Sequence, residues 1–453
     1  MKKAFIISLM ALLCCWNNAS AQTENGKSVK VELKNARRTI EYQGALVVDG
    51  TELTLKDKEL VADGSNQIAV LVVNGGKLVL DHCKIVKTGD GKRTGNSEMR
   101  NDKKPDFEGG GSPEGEKERP QGQRSERKER PDGQRAEKRQ RPGGGGGMNA
   151  DDGFNFYGLN SAVVAVGEES EIQMISCEVE TNAEYANAVF SCDGATINIT
   201  EGIKIRTEKG SSRGLYATCA GNVKAEGVVD ISTKGTHCAA LATDRGGGTV
   251  VVGHPGTQNH SMLYTAGQGS PCIYSTGDIF AYNAEGEAGT SQTMVVEGKN
   301  SITIEDCSFS GNSPQHGGIM LYQSTSGDAA EGTSVLNMKD CTIKDNSGTS
   351  MILITNTHSI VNMDNCQLLN KEGKALADTD AMIVCKNCNA DGGHHWGKEG
   401  SNGGQVEVNL TNQRLQGMLL ANEEESSITI TKDKQSNVKS LKTLSGRGKV
   451  VMK

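Results

Sequence analysis

Two groups of residues in this 453-residue chain have types and spacing that could do chemistry. Cys385-Lys386-Asn387-Cys388, followed by His394-His395, offers two thiolates and two imidazoles, a donor set suited to tetrahedral Zn²⁺. The spacing is not that of a familiar finger. Cys385 also continues the apolar run Met382-Ile383-Val384, so packing competes for it, and an ordinary loop stands beside the metal site as the plainer expectation. The second group is a row of polar residues, each closing a short apolar run: Asp193, Asp244, Arg245, Glu297, Lys299, Tyr322, Gln323, Asn356 and His358. Their hydroxyl, amide and charged groups suit hydrogen bonding to an extended glycan, although solvated strand ends would look the same. Trp396, the only Trp beyond the leader, could stack on a sugar face or cover an edge of the fold. No residue is assigned a catalytic role, and no cofactor is expected.

The elements that must position these residues come from a repeat. Leu78-Val79-Leu80-Asp81-His82-Cys83-Lys84-Ile85 sets a phrase, apolar-x-apolar-x-x-Cys-x-apolar, that returns at Cys177, Cys307, Cys341 and Cys366. Alternation of period two on both sides means two short strands, each with one face buried. The two residues between them mark a bend, where Asp306, Asp340 and Asn365 suit tight-turn dihedrals. All five cysteines then point inward as small buried hydrophobes. A second phrase precedes the first, as in Ala69-Val70-Leu71-Val72-Val73, Leu215-Tyr216-Ala217-Thr218, Met294-Val295-Val296-Glu297 and Ile319-Met320-Leu321-Tyr322. Copies lie about 25 residues apart, the length of three short strands and their bends, and each unit buries its inner face only by stacking on its neighbours. The expectation is an all-β, single-stranded right-handed parallel β-helix of about ten coils.

Composition agrees with short stacked strands: 57 Gly, only 8 Pro and 4% aromatic residues. A formal net charge of −7 gives a nucleic-acid partner no global electrostatic support. Lys2-Lys3, an apolar run to Trp16 and Ala19-Ser20-Ala21 read as a signal peptide over residues 1–21, so a secreted, periplasmic or cell-surface protein is expected, with no transmembrane segment after cleavage. Residues 22–87 read as an N-terminal cap and first coils, and residues 148–453 as the main β-helix with a C-terminal cap. Between them, residues 88–147 carry 15 Lys and Arg against 12 Asp and Glu with almost nothing apolar, and read as a disordered, solvated insertion. Beyond the leader the chain keeps eleven cysteines; an odd number cannot pair completely, and any disulfide is expected among loop cysteines.

From Ala69 to Asn422, excluding the insertion, the chain resembles bacterial secreted, adhesin-like right-handed β-helix proteins of the pectin-lyase-like superfamily. The resemblance rests on phrases such as Phe156-Tyr157-Gly158-Leu159-Asn160, Ala239-Ala240-Leu241-Ala242-Thr243-Asp244-Arg245-Gly246, Val296-Glu297-Gly298-Lys299-Asn300 and Tyr322-Gln323-Ser324-Thr325. It implies the fold and an envelope setting, but no catalytic set. Enzymes of this fold need paired carboxylates, or a Ca²⁺ site beside a Lys or Arg base. Asp151-Asp152 and His316-Gly317-Gly318 only partly match the polygalacturonase phrases, and the Arg-x-Pro-x-x-Arg phrase of pectate lyases is missing. The expected function is a binding protein for an extended carbohydrate or another envelope component. A polysaccharide lyase or hydrolase, and a spacer without a ligand, are the alternatives.

Overall fold

The computed structural model describes residues 26–92, 152–324, 328–388, 403–444 and 446–453. The period-two segments are strands, and they pair in parallel between successive repeats. A 14-stranded sheet, here the first sheet, opens with an antiparallel hairpin of Lys27–Leu33 and Arg38–Asp49, then adds parallel strands from Ile68–Val73 to Asn437–Thr443. A second parallel series runs from Glu52–Lys56 to Lys449–Met452, and a third from Glu59–Ala62 to Gln367–Leu369. The strands Glu171–Thr181 and Thr196–Thr207 pass through the bend and serve both of these series. This is an all-β, parallel-stranded architecture compatible with a parallel β-helix. Among the described residues no helix is long and apolar enough to cross a membrane.

Inward side chains of all three series meet in one long core, in which Leu80, Met174, Ile199, Ile231, Ile304 and Val361 are almost wholly buried. The bends follow the expected chemistry. Asp306, Asp340 and Asn365 adopt φ of 56°, 52° and 52°, in the left-handed region that Asp and Asn tolerate best, and Asn365 Nδ2 donates to Asp340 Oδ1 at 2.6 Å. His82 and Ser176 take the same conformation in earlier repeats. The next residue is the repeated cysteine. Each of the five is buried, and each thiol donates to the carbonyl two residues before it, as Cys341 does to Lys339 at 3.0 Å. Burial pushes the Cys177 thiol up to about 11. All eleven cysteines among the described residues are buried, and no disulfide links any two of them.

The strands on either side of residues 93–151 pair directly: Val70 lies opposite Val163, and Leu78 opposite Ile172. The insertion therefore leaves and re-enters the stack without breaking its register. Its first residues, however, belong to the packed structure. Thr88 N donates to Ala62 O, Asp90 accepts from Glu184 N and Lys209 Nζ, both at 2.9 Å, and Gly89 O accepts from buried Lys87. Residues 88–92, at the start of the expected insertion, thus pack against neighbouring repeats. Residues 1–25, with the expected signal peptide, residues 93–151, and the group His394, His395 and Trp396 lie outside the described residues.

One asymmetry positions everything that follows. The second and third series turn alternate residues to solvent, whereas strands of the first sheet are buried on both faces, as in Ile68–Val73, Val163–Val166 and Ile319–Tyr322. The N-terminal hairpin and the short helix Asp152–Tyr157 cover the outer side of its early strands, with Tyr42, Phe156 and Tyr157 packed on Val164, Phe190 and Tyr216.

Candidate functional site

On the outer side of the first sheet, pairing places Phe190, Tyr216, Ala242, Tyr274, Val295 and Met320 in one row. Two residues further along each strand runs the next outward row, with Cys192 opposite Thr218 and Glu297 opposite Tyr322; Asp244 and Thr276 continue it by register. Stacking thus brings together the polar residues that close the second phrase.

Glu297 is the centre of one cluster. It is only 2% exposed, and its Oε2 accepts from Tyr322 Oη at 2.8 Å and from Tyr274 Oη at 2.5 Å, while Oε1 accepts from Ser324 Oγ. The two phenols also lie 3.1 Å apart. Burial raises both phenols well above their usual range, so they stay protonated and donate. Asp244 centres a second cluster. Its Oδ2 accepts from Tyr216 Oη at 3.0 Å and lies 4.0 Å from the Arg213 guanidinium. Burial pushes its carboxyl up to about 6, against the opposing pull of Arg213.

Arg245 ties the cover to this row. Its guanidinium donates to Asp328 Oδ1 at 2.6 Å and 2.9 Å and to Asp152 Oδ2 at 3.3 Å, and lies 3.9 Å from the centre of the Phe156 ring. Asp152 begins the helix, and Asp328 begins a segment that returns over the strand ends, where Lys299 N donates to Ala330 O at 2.8 Å. The result is a largely buried polar layer in which carboxylates accept from phenols and hydroxyls, and a half-buried cation joins two covering segments. A hollow of about 290 Å³ near Asp345, Lys371 and Asp380, and one of about 310 Å³ over Glu52, Lys77 and Glu171, are lined by none of these groups.

The expected solvent-facing strip is therefore corrected. Asp244, Glu297, Tyr322 and Gln323 are buried, because helix Asp152–Tyr157 and the returning segment cover the face on which register places them. Asp193 is buried as well, accepting from Lys34 N and Asn35 N of the N-terminal hairpin turn. Arg245 is half-buried and Lys299 exposed. Asn356 donates to Gln323 O at 2.8 Å from a left-handed turn. His358 lies on a different sheet, in the second series, between Thr333 and Gln405. Of the cysteine and histidine group, Cys385 packs in the inner core and Cys388 in the outer cluster around Met320 and Tyr322, so the two do not share an environment. Arg213, Tyr216, Tyr274, Ser324 and Asp328 were not singled out by sequence. The signal available was a single Tyr within an aliphatic strand, at Leu215-Tyr216-Ala217 and Ile273-Tyr274-Ser275, whose phenol needs a partner if that face is buried.

No protein-family model matches the chain, and neither the curated proteins nor the solved structures contain a significant match.

Proposed function

We propose that this is a secreted or cell-surface, adhesin-like binding protein with a right-handed parallel β-helix of about ten coils, allied to the pectin-lyase-like superfamily. Its partner is an extended carbohydrate or another envelope component, engaged on the solvent-facing sheets. The observation that supports this reading is the in-register stacking of outward side chains. Successive strands present polar groups in straight rows about 4.8 Å apart, a spacing that suits a partner with its own linear repeat. A glycan-array screen of the protein from residue 22 onward, with product analysis on each hit, tests it. Retained binding with unchanged polymer supports the reading; hydrolysed or eliminated product overturns it.

One observation favours a second reading, a polysaccharide lyase or hydrolase. The Asp244 carboxyl at about 6, beside Arg213 and Tyr216, is a perturbed acid next to a cation and a phenol. Its burial under the helix argues for a structural role, and the same product analysis separates the two.

A further inference from the structure

The outward positions of the second and third series are occupied almost entirely by Thr, Asn, Ser, charged and aliphatic residues. Among the described residues only three aromatic side chains stand there: Tyr264, Phe280 and Tyr282. All three lie on consecutive repeats, on either side of a single line of bends. Tyr264 is 37% exposed, and Phe280 and Tyr282 are half-buried. Exposing aromatic ring surface costs hydrophobic free energy, so finding these rings on adjacent repeats about one bend, where the two flanking faces otherwise carry none among the described residues, marks a surface adapted to contact something.

The same place carries a second departure from the repeat. Other bends between the second and third series use one or two residues, such as Ser176, or Asp306 with Cys307. Between Gly248–Val252 and Ser261–Thr265 the bend has grown to residues 253–260. The loop is fastened to the next repeat, where Asn283 Nδ2 donates to Thr257 O at 3.1 Å and His260 Nδ1 lies 3.0 Å from Asn283 Oδ1. From there a polar chain runs to the aromatic residue: His260 Nε2 lies 3.4 Å from Glu285 Oε2, and Tyr264 Oη donates to Glu285 Oε1 at 2.7 Å. The phenol is therefore held in place before any partner arrives, and an ordered ring loses little entropy on binding.

Charge narrows the partner. No Lys or Arg occurs between Arg245 and Lys299, whereas Asp278, Glu285, Glu287 and Glu305 all surround the three rings. Of the cations on flanking strands, Lys224 is paired with Glu226 at 2.9 Å and Lys339 with Glu305 at 2.5 Å. A surface of aromatic rings with carboxylate and amide acceptors, and no Lys or Arg on the strands that carry them, fits the C–H faces and hydroxyls of a neutral or amino sugar. It repels a uronic-acid or sulfated chain.

We infer that the corner formed by residues 253–260, Tyr264, Phe280, Tyr282 and Glu285 is a saccharide-binding site selective for neutral or amino sugars over acidic polymers. The inference rests on the carbohydrate reading proposed above and adds both the place and the sugar class. The test is calorimetric titration of the protein from residue 22 onward with cellohexaose, chitohexaose and polygalacturonate, repeated with Tyr264→Ala, Tyr264→Phe and the double variant Tyr264→Ala/Phe280→Ala. Binding of either neutral or amino-sugar hexamer, weakened roughly ten-fold by Tyr264→Ala, nearly abolished in the double variant and largely kept by Tyr264→Phe, supports the site. Tyr264 is exposed, so its variants should leave thermal unfolding nearly unchanged, and the double variant, which also removes the half-buried Phe280 ring, should still unfold in one cooperative transition, which excludes misfolding as the cause. Binding that persists in the double variant, or a preference for polygalacturonate, overturns the site while leaving a carbohydrate partner elsewhere. A wild-type protein that binds no hexamer here and no glycan on the array overturns both readings.

Discussion

Two outward-facing surfaces of this molecule obey the same stacking rule and carry opposite content. On the third series, register aligns Glu59, Lys84, Glu178, Lys204 and Asp230 on successive strands, so charge alternates from one repeat to the next. Cross-rung pairs follow, Lys204 to Glu178 at 2.5 Å and Arg206 to Asp230 at 2.6 Å. On the first sheet the corresponding outer rows are aliphatic and aromatic with embedded carboxylates, and they are largely buried. Parallel stacking puts each side chain directly against its counterpart in the next repeat. A charge in the open row must meet its opposite, and a charge in the covered row must meet hydroxyl donors. The difference lies in what covers the face, and it sets how much each group matters to stability.

The covered row should be the more sensitive, with Glu297 at its centre. Glu297→Ala leaves the hydroxyls of Tyr274, Tyr322 and Ser324 without their common acceptor inside the protein. A loss of about 2–4 kcal/mol is expected, read from the urea midpoint at constant slope. Glu297→Gln keeps an acceptor oxygen and should recover more than half of it. Equal, small effects from both variants would mean that the cover is not held through this carboxylate.

Asp244 gives the next largest effect and a pH signature. Its folded value of about 6 lies above its ordinary 3.8, so the folded state binds the proton more tightly than the unfolded chain does. That contribution is fully present below about pH 4 and is lost as pH rises through 6. Wild-type stability relative to Asp244→Asn should therefore fall by about 2–3 kcal/mol between pH 4 and pH 7. A pH-independent difference between the two proteins would show that Arg213, not burial, controls the carboxyl.

The cysteine rows come third. Cys307, Cys341 and Cys366 are buried in the inner core with their thiols bonded to bend carbonyls, so all three should resist thiol reagents until denaturant is added. Cys341→Ala should cost about 1 kcal/mol, the loss of a small buried group and one weak hydrogen bond. Rapid labelling of the native protein would remove these side chains from the core.

The inner architecture was legible because it repeats. Period-two alternation sets which way Leu80, Cys83 and Ile85 point, and Asp or Asn before the cysteine marks a left-handed bend. What hides the outer side of the first sheet does not repeat. The hairpin of Lys27–Leu33 and Arg38–Asp49, helix Asp152–Tyr157 and the segment beginning at Asp328 are each used once, and periodicity says nothing of them. Strand phase alone therefore placed Asp244 and Glu297 correctly on the outward side and wrongly in solvent. The warning was present in the second phrase itself. Met294-Val295-Val296 and Ile319-Met320-Leu321 are continuous apolar runs, the pattern of strands buried on both faces, whereas Leu78-Val79-Leu80-Asp81 leads directly into a polar bend. The aromatic corner at Tyr264 was missed for a different reason: Phe280 and Tyr264 are 16 positions apart in sequence and come onto adjacent repeats, on either side of the line of bends, only through the bend at Asn283.

The open row should respond least, and in a way that the covered row does not. Lys204→Glu sets three carboxylates on consecutive strands, Glu178, the new glutamate and Asp230, in place of an alternating triplet. Because Lys204 and Glu178 are both partly exposed, at 52% and 30%, solvent and side-chain entropy discount the pair. The loss should be below about 1 kcal/mol in dilute buffer. It should shrink further at 1 M salt, where the screening length falls to about 3 Å. The penalty of Glu297→Ala, by contrast, arises from unsatisfied buried groups and should not change with salt. Measuring both variants at low and high ionic strength therefore tests the comparison itself: equal salt dependence would mean that the first sheet's polar row is as open to solvent as the third series, and that its cover is not closed.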